Sequence, residues 1–110
     1  MSDFSLSSFL AETGLFRSLI DQSPLMVMVL NNDGQCLFSS RAGLAFRGRT
    51  AEQEQGPGWM DSLHPDDRLA APNSVLAAGR EHKPFSLEHR VLRADGVYRW
   101  MLNRGIAIRE

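Results

Sequence analysis

Two Asp-Gly dipeptides, Asp33-Gly34 and Asp95-Gly96, constrain this chain more than any other feature. Asp-Gly accepts the positive φ that a tight reversal needs. The first lies between Leu25-Met26-Val27-Met28-Val29-Leu30 and Cys36-Leu37-Phe38-Ser39-Ser40. The second lies between the alternating stretch Pro84 to Arg93 and a run from Val97 to Ile108. Each set reads as an antiparallel hairpin. The uninterrupted apolar run Leu25–Leu30 predicts a strand covered on both faces. In the later hairpin Phe85, Leu87 and Val91 share one side with His89, while Ser86, Glu88, Arg90 and Leu92 share the other. Glu88 and Arg90 read as a same-face surface pair.

Between the hairpins the pattern turns helical. Ala42, Leu44, Ala45 and Phe46 suggest a short helix stopped by Gly48, and Thr50 caps a further turn. Gly56-Pro57-Gly58 reads as a loop, followed by a turn carrying Trp59, Met60 and Leu63. His64-Pro65-Asp66-Asp67-Arg68 then reads as a helix start. Proline suits the first turn, and the two aspartates put negative charge where free N–H groups and the positive dipole end lie. Pro72 requires either that the helix begin near Ala71 or that a single turn precede it. Gly79, Arg80, His82 and Lys83 suit its C-terminal end. Residues 1–22 predict an N-terminal amphipathic helical cap in two pieces, with stripes Leu6, Phe9, Leu10 and Phe16, Leu19, Ile20, ended by Ser23-Pro24. Two hairpins joined by about four short helices make an α+β fold with an antiparallel sheet.

Composition narrows the function. The chain has 110 residues, enough for one core, with 43% hydrophobic and 23% charged residues. A net charge of −1 gives no footprint for nucleic acid or an anionic membrane. One cysteine, Cys36, allows no internal disulfide and fits a reducing, cytoplasmic setting; it reads as a small apolar residue of the strand. The longest apolar run is too short to span a bilayer. No nucleophile–base pair, metal-ligand spacing or phosphate loop is present, so no enzyme and no metal site are expected.

The motifs in order resemble a PAS domain with a PAC motif. Those that match are Phe16-Arg17-Ser18-Leu19-Ile20-Asp21-Gln22-Ser23-Pro24, Asp33-Gly34, His64-Pro65-Asp66-Asp67-Arg68, Glu88-His89-Arg90 and Asp95-Gly96-Val97-Tyr98-Arg99-Trp100. The interval from Arg68 to Pro84 fits the connecting helix, and the resemblance covers residues 13–110. It implies a sheet of order 2-1-5-4-3 with helices on one face, and a sensory or dimerising module in a longer signalling protein, such as a histidine kinase or a diguanylate cyclase. It also implies a fifth strand between the first and fourth. The expected organisation is therefore a cap over 1–22 and a C-terminally truncated PAS core over 23–110, with a strand supplied by a partner chain or a different sheet closure as the alternatives.

The expected function is a sensory input domain that binds a small ligand or cofactor and relays to a linked effector. The alternative is a ligand-free dimerisation module. Residues available to line a pocket are Met28, Phe46, Trp59, Leu76, Phe85, Trp100 and Asn103, with Arg90 and His89 as further polar groups; ordinary core packing is the competing reading. Haem is disfavoured because residues 69–80 contain no histidine, and a flavin adduct because Cys36 lies in a strand rather than an Asn-Cys-Arg helix. The cofactor is left unknown. The expected partners are a second copy of the chain and a covalently linked effector.

Overall fold

Both Asp-Gly turns form with the same chemistry. In the first, the Asn31 side chain accepts from Asp33 N–H at 2.9 Å and Gln35 N–H at 3.0 Å, and Gly34 takes φ +78°. In the second, Asp95 Oδ1 accepts from Val97 N–H at 3.2 Å and Gly96 takes φ +84°. A side-chain oxygen fixes each reversal locally, and glycine supplies the left-handed residue.

A computed structural model describes residues 14–107. The elements are α1 (Gly14–Asp21), β1 (Met28–Leu30), β2 (Cys36–Ser39), α2 (Arg41–Arg47), α3 (Ala51–Glu54), 3-10 turns at Pro57–Ser62 and Pro65–Asp67, α4 (Ala70–Arg80), β3 (Phe85–Leu92) and β4 (Tyr98–Gly105). The first piece of the expected N-terminal cap lies outside the described residues. Its second piece is α1.

The strands make two antiparallel pairs, β1 with β2 and β3 with β4. The order 2-1-5-4-3 puts a fifth strand between the first and fourth, and among the described residues those two edges carry no strand partner. The outer edges are stitched instead. Cys36 and Gly56 exchange backbone hydrogen bonds of 2.8 and 3.1 Å along the free side of β2. Leu63 forms a bridge with Val91, and His64 N–H donates to Arg90 O at 2.9 Å, along the free side of β3. Between these stitches Trp59 Nε1 donates to Gly34 O at 2.8 Å, which ties the helical stretch to the first turn. The core follows the same line: Cys36, Trp59, Leu63, Ala71 and Val91 are buried, with Met28, Leu30, Phe46, Met60, Leu87 and Met101 packed on them.

Local signals explain the helices. Ser40 caps α2 and is fully buried. Its Oγ accepts from Gly43 N–H at 3.4 Å and Val27 N–H at 2.9 Å, and donates to Leu25 O at 2.9 Å. One hydroxyl thus joins the lead-in of β1 to the start of α2. Thr50 and Gln53 form a reciprocal capping box on α3. Pro72 is the third residue of α4, where no intrahelical N–H is needed, so a separate turn does precede the main helix.

Two expectations are corrected. β1 is covered less than an all-apolar run implies: it has only three residues, all half-buried, and Leu25 and Met26 before it are exposed. Among the described residues its neighbouring edge has no strand to bury it. Gly56-Pro57-Gly58 is not all loop, because Pro57 opens the 3-10 segment. Gly58 is required there, since a Cβ would stand 1.8 Å from Gln53 O. Leu69 precedes α4 and is 76% exposed.

A buried charge cluster was not legible in the sequence. Glu54 is fully buried and pairs with Arg47 Nη2 at 2.8 Å and with Arg49 Nε. Arg49 Nη2 also donates to Gln53 O at 2.9 Å and Gly58 O at 3.1 Å.

Two substitutions test these local constraints by urea unfolding. Ser40→Ala removes the cap and leaves two backbone groups without their partner, an expected loss of about 1–3 kcal/mol. Glu54→Ala strands two largely buried guanidiniums, an expected loss of about 3–5 kcal/mol. Unfolding free energies within about 0.5 kcal/mol of the parent, at unchanged slope, would remove either group from the account of stability.

Candidate functional site

The turn at Pro65–Asp67 is where the helical stretch meets β3, and its side chains build outward from that contact. Proline opens the turn and the His64 imidazole caps it: Nδ1 accepts from Asp66 N–H at 3.1 Å. The carboxylate of Asp67 is used elsewhere. Its Oδ2 accepts from the backbone N–H of Arg90 at 2.8 Å and from Arg90 Nε at 3.1 Å, and its Oδ1 accepts from Arg90 Nη2 at 2.8 Å. One residue's main chain and guanidinium are held together by one carboxylate. Arg68 Nε donates back to Leu63 O at 3.0 Å and Nη2 to Asp61 O at 3.2 Å, which closes the turn from its other side.

This corrects two expectations drawn from charge alone. Asp66 and Asp67 do not cap the long helix, which begins at Ala70. Arg90 pairs with Asp67, across the sequence, rather than with Glu88 on its own strand. No local spacing announces the pair, although both residues lie in motifs that the sequence singled out.

The same contact organises the outer face of the β3–β4 pair. The Arg90 guanidinium lies 4.8 Å over the ring of Trp100, its cross-strand partner. The His64 ring meets Tyr98 edge-on, with centroids 4.7 Å apart. Trp100 and Leu102 remain 64% and 55% exposed.

The candidate pocket residues divide between the two faces. Met28 and Phe46 pack on the core, and Trp59 lies within it. Leu76 packs on Gly34, beneath the first turn, and the Phe85 ring covers Gly105, where a Cβ would stand 2.3 Å from it. Asn103 is half-buried opposite Leu87 on the inner side. Trp100 is on the outer face and does not join them. An open cleft of 540 Å³, lined by Pro84, Phe85, Ser86, Arg104, Gly105 and Ile106, lies at the far end of this hairpin.

His89 is the inward polar residue of β3. It is buried, and its Nδ1 has no hydrogen-bond partner. Burial pushes its pKa down, opposed by the charge of Asp67. Burial likewise pushes the Cys36 thiol up, against hydrogen bonding to Ser39 and Phe38, which keeps it protonated and poorly nucleophilic. The hydrogen bonds from Arg90 hold Asp67 down at about 2. Among the described residues, no group of three or more His, Cys, Asp or Glu is placed to hold a metal ion, and no helix is long and apolar enough to cross a membrane.

Two acid limbs follow. His89 favours its neutral form when folded, so its contribution is complete above the ordinary histidine value of 6.5 and is lost as pH falls below it. Asp67 favours its charged form, so its contribution is complete above 3.8 and is lost as pH falls towards 2. Unfolding midpoints taken between pH 8 and 2 should fall in both windows. His89→Leu should flatten the first and Asp67→Asn the second; a profile unchanged by its own substitution would exclude that residue as the source.

Comparison with known proteins agrees with this arrangement. The PAS fold family matches residues 37–110. The chain is 37% identical over 90 residues to the uncharacterized protein y4lL of Sinorhizobium fredii, covering 82% of this chain and 11% of that protein. It is 44% identical over 92 residues to the peroxide stress-activated histidine kinase mak3 of Schizosaccharomyces pombe, covering 81% of this chain and 4% of the kinase. With the histidine kinase mak1 of the same yeast it shares 26% over 110 residues, covering 93% of this chain and 7% of that kinase. The chain thus spans only 4% to 11% of the length of these relatives. With two antiparallel hairpins, a helical connection stitched to both, and a family match over most of its length, the chain belongs to the PAS fold family.

Proposed function

We propose that this chain is a sensory input module of a longer signalling protein, without catalysis of its own, that reads a small ligand and relays its state to a covalently linked effector. The observation that carries this reading is the 44% identity to a histidine kinase of which the matching segment is only 4%. A segment so small within a kinase is a part that informs the enzyme rather than the enzyme itself. The ligand would lie between the β3–β4 pair and the helices, against Met28, Phe46, Trp59, Leu76, Phe85 and Asn103. The partnerless Nδ1 of His89 gives that face a polar atom for a ligand to satisfy.

A second reading, a ligand-free interaction module, is favoured by a different observation. Tyr98, Trp100 and Leu102 are exposed together on the outer face of β4, with Arg90 stacked on Trp100. Exposed Trp, Tyr and Arg are the residue types that anchor protein interfaces.

Native mass spectrometry and an absorption spectrum of the purified chain separate the two. A bound small molecule is the result expected for sensing, and an empty dimer the result expected for the interaction module. A ligand at a hundredfold its dissociation constant should add about 2.7 kcal/mol to unfolding. An empty monomer that no metabolite stabilises would overturn the sensing role.

A further inference from the structure

His64 holds two positions at once. Its backbone N–H fastens the turn to β3 by donating to Arg90 O at 2.9 Å, and its side chain caps the turn through Nδ1. A ring nitrogen accepts a hydrogen bond only while it carries no proton. The cap therefore exists in one protonation state of one imidazole.

We propose that His64 is a proton-operated cap on this turn. When neutral, the ring carries its proton on Nε2 and takes the Asp66 N–H on Nδ1. When protonated, Nδ1–H and the Asp66 N–H oppose each other, and the ring has to turn its new proton elsewhere. A receiver stands ready. Asp66 Oδ2 is 3.8 Å from Nδ1, and the same oxygen is 3.9 Å from Arg90 Nη2. Protonation thus exchanges a neutral hydrogen bond for an ion pair, frees the Asp66 N–H, and draws Asp66 from Arg90 towards the imidazolium.

The surroundings favour a change of state over ejection of the ring. Asp66 faces it from its own turn and Tyr98 from β4; Arg90 of β3 reaches the same Asp66 oxygen, and the charge of Asp67 also acts here. Arg68 is occupied by the carbonyls of Leu63 and Asp61. Two carboxylates against one guanidinium leave a net negative charge there to receive an added positive one. The Asp67–Arg90 clamp keeps the turn attached meanwhile, because it does not use the imidazole. His89 is the contrast: it is buried in the core and has no carboxylate of its own to turn to. The ring of His64 also leans on Tyr98, so its rotation alters the outer face of β4 as well as the start of α4.

Nuclear magnetic resonance of the ¹⁵N-labelled chain between pH 8 and 5 tests this directly. The neutral ring should show the Nε2–H tautomer, and the Asp66 amide should shift with the same midpoint as the His64 imidazole. In His64→Asn, whose side chain caps without titrating, that amide shift should vanish while the fold is retained. A neutral ring protonated on Nδ1 in the unaltered chain would overturn the proposal without recourse to any variant. So would an Asp66 amide that stays still through the His64 titration, or one that moves identically in His64→Asn.

Discussion

The Asp67 carboxylate accepts three N–H groups from a single residue, Arg90, and the arrangement of the chain turns on that contact. A strand edge presents N–H groups that need partners, and a helical stretch crossing that edge needs to be held in register. Asp67 meets both needs, and the neighbouring Leu63–Val91 bridge and His64–Arg90 bond continue the line. At the opposite end Gly56 does the same for β2 through Cys36. Among the described residues the two hairpins share no ladder, yet each is bonded to one end of the same short stretch, and Trp59 fixes its middle to the first turn. The distance between the hairpins is set by the helices that bridge them.

Features that depend on neighbours in sequence were legible. Asp33-Gly34 and Asp95-Gly96 make their turns, Thr50 and Gln53 make their capping box, and the alternation from Phe85 to Leu92 places His89 inward. Features that depend on partners distant in sequence were not. Nothing near Asp67 distinguishes a helix cap from a ligand for Arg90, because either role needs only an acidic side chain at that place. Glu54 reads as one more polar residue of a short helix until Arg47 and Arg49 close over it. As an aromatic residue, Trp100 reads in the sequence as available to line a pocket. The pairing register puts it on the other face, with Arg90. The Leu25–Leu30 run was apolar enough for two covered faces, but coverage depends on which strands flank it.

The Glu54 cluster shows how such a departure from apolar packing is sustained. Burying one carboxylate costs more than one ion pair returns. Here the two arginines bring further bonds: Arg49 also reaches the carbonyls of Gln53 and Gly58, and so ties α3 to the start of the 3-10 segment. An apolar replacement would fill the volume without specifying where those carbonyls sit. The cluster acts on the position of the Gly56 stitch, and through it on β2.

His64 and His89 divide the response to acid by their surroundings. One carboxylate, Asp67, interacts electrostatically with both. His89 is buried, so its protonation opposes folding. His64 is half-exposed among carboxylates, so its protonation rearranges bonds that the fold can exchange. The Asp67–Arg90 clamp separates the two effects. It retains its charge down to about pH 2, well below the range in which an ordinary histidine titrates, so the turn stays on β3 while the cap changes. A stable clamp beside a labile cap lets one change of protonation alter the joint between helix and sheet without releasing it.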